Sequence, residues 1–368
     1  MGITRLERTK ESFKEKIQSQ TSGSQEGILI AIDNFEKFCM EKYGKVNLIQ
    51  DLKESTEEEV YDILQSWINW NSSRAPRTIV VYFSRLKKYL HYMGIKLHVQ
   101  DIKNELDFKH VIDEELYGLT LDDIQKIFKQ FSYNTRVQFM CQLSGLMRIG
   151  ETVQLRKKHL ILGKENIIVK IPSSIAKFKK GRTTFFSKEA SMVLRPLLRR
   201  LDDDDLIFAS NENSRYAELN SEQILRRTLV KVGLDMKYES TGRFMINTHS
   251  FRAYGITKLS RHDPNFAKKI SGQKGYLLQY DRITDDEKLE LYQKFENDLI
   301  IDDTAKLKAE NKKLESEKSE LEQKDTTIQD LQSQIDKLFE LNYRQNEYLK
   351  QGKFPEITIQ GNKKIIKY

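Results

Sequence analysis

The 368-residue sequence contains few of the side chains that bind metals or form disulfides. Its two cysteines, Cys39 and Cys141, each lie within an apolar helical pattern and have no paired spacing, which indicates buried free thiols in a reducing compartment. The six histidines form no H-E-x-x-H pattern, and we predict no metal site. No apolar run is long enough to cross a bilayer, so we expect a cytoplasmic protein without a membrane partner.

The charge of the chain indicates what kind of partner it has. The net charge is +8 and the pI is about 9.1, although the chain has 54 acidic residues. With 38% hydrophobic and 32% charged residues, the composition is that of a folded and highly charged protein. A basic excess of this size favours a polyanion as partner, but many basic proteins bind no nucleic acid.

The first part of the chain is predicted to be helical. We expect an N-terminal helix or tail over residues 1–23 and a compact helical domain over residues 24–110, with amphipathic repeats that end at glycines. The third clear helix of this domain has a basic outer side. That side is either simply solvated or lies along a DNA backbone, and its candidate DNA contacts are Arg85, Lys87 and Lys88.

A second domain is predicted over residues 116–300, after a polar linker near residues 98–116. Thr120 and Asp123 have the spacing of a capping box at its first helix. After Gly163 the period changes, and "ENIIVKIP" and "RTTFFS" are predicted as two strands joined by the basic turn "SSIAKFKKG". Because helical patterns surround them, the fold class is mainly α with a small antiparallel β-sheet (α+β).

Residues 301–350 have the heptad pattern of a coiled coil. Leu307, Leu314, Leu321, Ile328 and Ile335 recur every seven residues, but the complementary positions are polar in the first half. The alternative is a single solvated helix. Residues 351–368 are predicted to be an alternating tail with a turn at Gly361-Asn362.

The stretch "THSFRAYG", residues 248–255, places positive groups where a helix begins. Thr248 is a suitable N-cap, so His249 and Arg252 are expected in the first turn on one face. The start of a helix already has partial positive charge, and an arginine there is unfavourable unless an anion faces it. A bound phosphate would remove the conflict. The alternative is a solvated arginine beside a packed histidine, because a short motif often occurs by chance.

Three further features accompany this helix start. The box "GLMRIGE" contains Arg148 and Glu151, the basic hairpin contains Lys177, and "SGQKGYLLQYDR" contains Gly272, Gln273 and Tyr280. In this order and combination the chain resembles the catalytic domain of the tyrosine recombinases, the phage integrase family, and most closely its archaeal integrase-like members. Two departures stand out. Met147 is an extra residue in the first box, and Gln273 occupies a place usually held by histidine.

The resemblance implies a mechanism and assigns roles. Tyr280 is the implied nucleophile, with Tyr276 and Tyr292 as its competitors, and Arg148 and Arg252 are implied to grip the phosphate, with Glu151 supporting Arg148. His249 is implied to hydrogen-bond the phosphate or accept the tyrosine proton. Lys177 is the implied general acid, with Lys179 as the alternative, and Gln273 can donate a hydrogen bond but cannot carry a proton. No metal or nucleotide cofactor is implied.

The resemblance also implies partners and leaves alternatives. Double-stranded DNA is the expected ligand. The helical segment before the catalytic domain resembles the family's SAM-like DNA-clamping domain. We expect a tetramer on paired sites, assisted by the coiled coil, and association with the nucleoid. Further predicted DNA contacts are Lys179, Lys180, Arg182, Arg226 and Arg227. The alternatives are a DNA-binding descendant without catalytic activity, an assembly protein, and a nicking topoisomerase that uses similar chemistry.

Overall fold

The computed structural model describes residues 7–45, 48–273, 282–350, 352, 356–360 and 363–367. For residues 303–317, 319–320, 348–349, 356–360 and 363–367 it describes the backbone alone. The chain divides into two compact units. The first comprises Met1–Tyr117 and Met236–Met245, and the second comprises Gly118–Asp235 and Ile246–Tyr368.

The first unit is helical. Threonine side chains cap two of its helices with capping boxes, Thr9 and Thr56, and left-handed glycines end two others at Gly44 and Gly94. These local rules account for the start or the end of four of its helices. Its helices are α1 (Lys10–Ile17), α2 (Ser22–Tyr43), α3 (Ile49–Glu54), α4 (Glu57–Trp70), α5 (Pro76–Met93) and α6 (Val99–Glu105).

One hydrophobic core holds this unit together. It is built on α2, α4 and α5, with Trp67 and Leu64 fully buried and the ring of Phe35 edge-on to Trp67 at 6.0 Å. Phe13 and Ile17 of α1 belong to the same core, so packing in this unit extends ahead of residue 24, where we predicted the domain to begin. The short helix α6 lies inside the segment that we predicted as a linker.

The second unit places a small sheet among helices. This confirms the predicted fold class, mainly α with a small antiparallel sheet. Its elements are α7 (Leu121–Gln130), α8 (Tyr133–Ser144), α9 (Ile149–Val153), a 3-10 turn (Lys157–His159), β1 (Leu160–Leu162), β2 (Ile167–Ile171), β3 (Arg182–Phe186), α10 (Lys188–Leu198), α11 (Ser214–Val232), α12 (Thr248–Ser260), α13 (Pro264–Ser271), α14 (Asp285–Phe295) and a second 3-10 turn (Glu296–Leu299).

The sheet has the strand order β1-β2-β3, with antiparallel pairing throughout. The predicted strands correspond to β2 and β3, and Ile167 pairs with Phe186 while Ile171 pairs with Arg182. The strand β1 was not predicted, because it has three residues and no buried alternation. The connection between β2 and β3, residues 172–181, carries the basic loop.

Helices α8 and α12 pack closely, and this contact brings two of the sequence boxes together. A Cβ on Gly255 would lie 2.5 Å from both the Leu143 carbonyl oxygen and a methyl of Leu146. Only glycine allows this approach without movement of the backbone. The helix with the H-x-x-R box therefore lies directly against the chain that enters the first box.

A 48-residue helix, α15 (Asp303–Lys350), follows the globular part and confirms the predicted C-terminal long helix. The apolar side chains of its second half are exposed, among them Ile328, Leu331, Ile335 and Leu338. Pairing of this helix with another stays a prediction. Strands β4 (Glu356–Gln360) and β5 (Lys363–Lys367) form an antiparallel pair, and the turn predicted at Gly361-Asn362 lies outside the described residues.

No described helix has the length and the apolar character needed to span a membrane. No cluster of histidine, cysteine and carboxylate side chains that could hold a metal ion occurs in the described part of the chain. Cys39 and Cys141 are both free and buried, as predicted.

Candidate active site

The first box forms the turn between α8 and α9. Leu146 is fully buried and adopts a left-handed conformation with φ of 49°, which is rare for a residue with a branched side chain. Arg148 then caps α9, and its guanidinium donates to Glu151 Oε1 at 3.0 Å while its backbone N–H donates to Oε2 at 2.9 Å. The ion pair expected from the three-residue spacing is present.

Arg182, at the start of β3, binds the same carboxylate. Its two terminal nitrogens donate to Glu151 at 3.0 Å and 2.6 Å, and its Nε donates to the Ile270 carbonyl at 2.9 Å. Its side chain is only 8% exposed. These contacts argue against the DNA contact that we predicted for Arg182, because its guanidinium is turned inward and holds Glu151.

Arg252 is the most deeply buried cation of the site. Its residue is 1% exposed, and its guanidinium donates to the carbonyl of Leu146 and, at 2.8 Å, to that of Ser271. The left-handed residue Leu146 thus supplies the carbonyl that accepts a hydrogen bond from Arg252. A guanidinium nitrogen of Arg252 also lies 4.0 Å from Glu151.

The charges of this cluster do not balance. Three guanidiniums, those of Arg148, Arg182 and Arg252, surround the single carboxylate of Glu151. Burial and the charge of Arg148 together lower the pKa of Arg252 to about 9, although Glu151 opposes the shift. Burial alone would raise the pKa of Glu151, but hydrogen bonds and charge from Arg182 and Arg148 bring it below its usual value. The cluster therefore has excess positive charge.

His249 lies beside this cluster at the start of α12. The helix begins after Asn247, which is the N-cap instead of the predicted Thr248, and the Asn247 side chain accepts from the His249 N–H at 2.9 Å. Partial burial lowers the pKa of His249, and the charges of Arg252, Arg148 and Lys177 lower it further. The imidazole is therefore held neutral and able to accept a proton at neutral pH.

The loop between β2 and β3 presents Lys177 to the site. Lys177 is exposed, and the ring of Phe178 lies 6.0 Å from its ammonium and 5.5 Å from the Arg148 guanidinium. Lys179 differs, because it has a φ of 52° and its ammonium donates to the Ser174 carbonyl at 2.8 Å. These contacts therefore favour Lys177 over Lys179 as the general acid that the resemblance implies. Phe178 was not predicted as a site residue, because the sequence shows it only as an aromatic ring within a basic loop.

The third box ends α13. Gly272 has a φ of 70°, and a Cβ there would lie 2.8 Å from Cδ of Arg182, so glycine is required twice over. Gln273 follows and is exposed. Tyr280 and its competitor Tyr276 lie outside the described residues. The other competitor, Tyr292, is fully buried and donates to the Ser144 carbonyl at 2.8 Å, and burial raises the pKa of its phenol well above the usual value.

The remaining predicted DNA contacts are distributed over both units. In the second unit, Lys180 and Arg227 are exposed, while Arg226 is exposed and paired with Glu222 at 2.5 Å. In the first unit, Lys88 is exposed and Lys87 is half-buried. Arg85 is half-buried and donates to the Gly27 carbonyl at 3.0 Å, so part of its binding capacity is used within the unit.

Known proteins share this arrangement of elements. The model of the phage integrase family matches residues 117–274. The structure is similar to XerH, a site-specific recombinase solved with its difH substrate in a pre-cleavage complex, at a TM-score of 0.50 and 15% identity, covering 76% of this chain and 82% of that one. It is also similar to the Tn1549 transposon integrase solved with transposon right-end DNA, at 0.53 and 13%, covering 77% and 97%.

The phage integrase family model therefore matches a stretch inside the second unit, and the solved neighbours are a site-specific recombinase and a transposon integrase. No curated protein sequence matches the chain. At 13–15% identity the solved neighbours establish the fold alone. The resemblance to archaeal members stays a prediction.

Proposed function

We propose that the protein is a site-specific DNA recombinase or integrase, which cleaves and rejoins DNA strands through a 3′-phosphotyrosyl intermediate. The observation that carries the proposal is the unbalanced cluster of Arg148, Arg182 and Arg252 around Glu151. Buried positive charge without a counter-ion is costly, and a phosphodiester supplies the missing negative charge. XerH and the Tn1549 integrase were solved with DNA, which supports DNA as the partner.

In this scheme the arginines bind the phosphate that is cleaved. Arg148 and Arg252 donate to its non-bridging oxygens and stabilise the charge that develops on the phosphorane. Arg182 fixes Glu151, and Glu151 fixes Arg148, so the guanidinium of Arg148 is positioned before DNA binds. A lysine at either phosphate-binding position lacks the planar fork and is expected to fail.

Proton transfer uses the two groups beside the arginines. The Tyr280 oxygen attacks phosphorus, its proton passes to the neutral imidazole of His249, and the bond from phosphorus to the 5′ oxygen breaks. The ammonium of Lys177 gives a proton to that leaving oxygen. The phosphotyrosyl bond retains the energy of the broken linkage, so the reverse attack by a 5′ hydroxyl rejoins the strand without ATP.

The position of Tyr280 along the chain is compatible with this role. Asp285, at the start of α14, forms ion pairs with Lys170 of β2 and with Lys288. Tyr280 precedes Asp285 by five residues in the sequence, between the third box and this anchor. Tyr292 is an unsuitable nucleophile because its hydroxyl is buried and hydrogen-bonded to Ser144.

A nicked suicide substrate that carries the natural recombination site tests the proposal. We expect a covalent protein-DNA complex on denaturing gels, lost in Tyr280→Phe and in Arg148→Lys. Tyr292→Phe is the matched control, because it removes a phenol from the same unit and should leave trapping intact. A complex that survives Tyr280→Phe, or no complex on any natural site, would refute it.

Gln273 supports a second candidate, a DNA-binding protein of the same fold that has lost catalysis. Glutamine donates a hydrogen bond to phosphate but does not transfer a proton. This candidate predicts tight DNA binding that Tyr280→Phe leaves unchanged and no covalent complex in the wild-type protein. The suicide-substrate assay separates the two.

We further propose that a tetramer assembles on paired sites with help from α15. The exposed apolar side chains in its second half are the observation that supports self-association. Removing residues 301–368 is expected to lower the mass of the DNA-bound assembly measured by light scattering. An unchanged mass would exclude α15 as an assembly element.

A further inference from the structure

The turn between α4 and α5 in the helical unit is supported by a buried polar network. Asn34 and Asn71 are 9% and 2% exposed, and each donates its side-chain amide to the other's oxygen at 3.2 and 3.1 Å. The indole N–H of Trp67, which is fully buried, donates to the Asn34 oxygen at 2.9 Å. Buried amides are tolerated only when paired in this way. The network thus determines where Asn71, the C-cap of α4, directs its oxygen.

Arg74 is the surface residue that this network holds. Its Nε donates to the Asn71 oxygen at 2.9 Å, and its guanidinium lies over the ring of Tyr82, 5.5 Å from the centroid. Within the part of the chain that the structure describes, the two terminal nitrogens of Arg74 have no hydrogen-bond partner. The fork is therefore fixed by the protein and its outer N–H groups are available for a ligand.

Fixing an arginine in advance matters for binding. A long side chain that is free in solution loses rotamer entropy when it binds, and a side chain already held in place loses less. The planar fork of arginine matches the geometry of two phosphate oxygens. Arg74 is thus prepared for a phosphate in a way that an unrestrained surface lysine is not.

Two further cations flank the turn. Arg77, in the first turn of α5, is 78% exposed. Lys109 donates to the Ser72 carbonyl within the turn at 2.9 Å. Asp113 approaches Arg77 only to 4.0 Å, and both side chains are largely in solvent, so it screens little of this charge. The turn has a net positive charge.

We propose that Arg74, with Arg77 and Lys109 beside it, binds a backbone phosphate of duplex DNA from the helical unit. The proposal rests on the proposed function for the identity of the ligand. It adds a contact to those predicted for this unit, Arg85, Lys87 and Lys88. Arg85, which we predicted from the sequence, donates to the Gly27 carbonyl, whereas Arg74 offers its fork outward.

The test is DNA binding by the full chain, measured by fluorescence anisotropy with a labelled duplex of arbitrary sequence, because phosphate contacts do not depend on sequence. Arg74→Gln should weaken binding about tenfold and reduce the slope of log affinity against log salt by about 1. Arg74→Lys keeps the charge and should keep the slope, with a smaller loss of affinity. Thermal unfolding followed by tryptophan fluorescence checks that the network around Trp67 is intact.

Lys37→Gln is the matched control. Lys37 lies on α2 in the same unit, is 68% exposed and has the same charge, so its loss should change affinity by less than about twofold. Equal losses in Arg74→Gln and Lys37→Gln, or an unchanged salt slope in Arg74→Gln, would overturn this proposal and leave the proposed function standing. A wild-type chain that binds no duplex would overturn the proposed function as well.

Discussion

Replacing Glu151 by glutamine is expected to destabilise the second unit strongly. The carboxylate accepts hydrogen bonds from the Arg148 backbone and guanidinium at 2.9 and 3.0 Å and from two nitrogens of Arg182 at 3.0 and 2.6 Å. Glutamine retains one oxygen and places an NH2 group against donors. Removing one partner of a buried ion pair costs about 3–5 kcal/mol. Arg182 and Arg252 would then be left buried without the charge that compensates them.

Urea unfolding measures this cost. With an m-value of about 3 kcal/mol/M, the loss corresponds to a midpoint lowered by about 1 M or more. Circular dichroism follows helices in both units. Tryptophan fluorescence reports the first unit alone, because the two tryptophans of the chain are Trp67 and Trp70. We expect the dichroism transition to move in Glu151→Gln while the fluorescence transition stays in place.

Glu189→Gln is the control for Glu151→Gln. Among the residues that the structure describes, Glu189 accepts from backbone N–H groups alone, those of Ile301 and Asp302 at 2.9 Å each, and burial raises its pKa. Its loss leaves no unpaired cation, so we expect a cost of about 1 kcal/mol. If both variants lowered the midpoint equally, the reasoning about charge in the cluster would be wrong.

The stabilising contribution of Glu151 is expected to change with pH in one direction. The pKa of Glu151 is lower in the folded protein than its usual value of 4.5. Its stabilising contribution is therefore fully present above the unfolded pKa and is lost as pH falls through the lowered folded pKa. The stability difference between wild type and Glu151→Gln should shrink as the pH falls below 4.5, and a constant difference there would contradict the assigned charge state.

Two more predictions follow from the geometry of the site. Arg148→Gln removes a positive neighbour and should raise the pKa of His249 in an NMR titration, whereas Arg227→Gln, on the exposed side of α11, should not; equal shifts would exclude a direct charge effect. Gly272→Ala adds a Cβ 2.8 Å from Arg182 to a left-handed residue, and should cost about 2 kcal/mol or more in thermal unfolding. Gly233→Ala has the same backbone conformation with nothing within 4 Å, so an equal loss there would mean that Arg182 is not displaced.

Local rules predicted much of the fold. The capping box at Thr120 and the left-handed glycine at Gly44 lie where their short-range chemistry requires. The strands β2 and β3 were recognisable because turn residues bound them; β2 buries alternate side chains, and β3 buries its last three. The strand β1 was missed because its three residues are half-buried or exposed and therefore lack that alternation.

Local sequence patterns predicted most of the helices, the strands β2 and β3, and local pairs such as Arg148 with Glu151, because hydrogen bonds and side-chain periodicity act over three or four residues. The folded structure was needed to show that Arg182, 31 positions away, holds Glu151, and that Arg252 binds the Leu146 carbonyl 106 positions earlier. The residues next to an arginine in the sequence do not show whether its side chain faces solvent or the core. Whether an arginine is buried depends on the elements that pack around it, and a buried charge needs a partner among the residues of those elements.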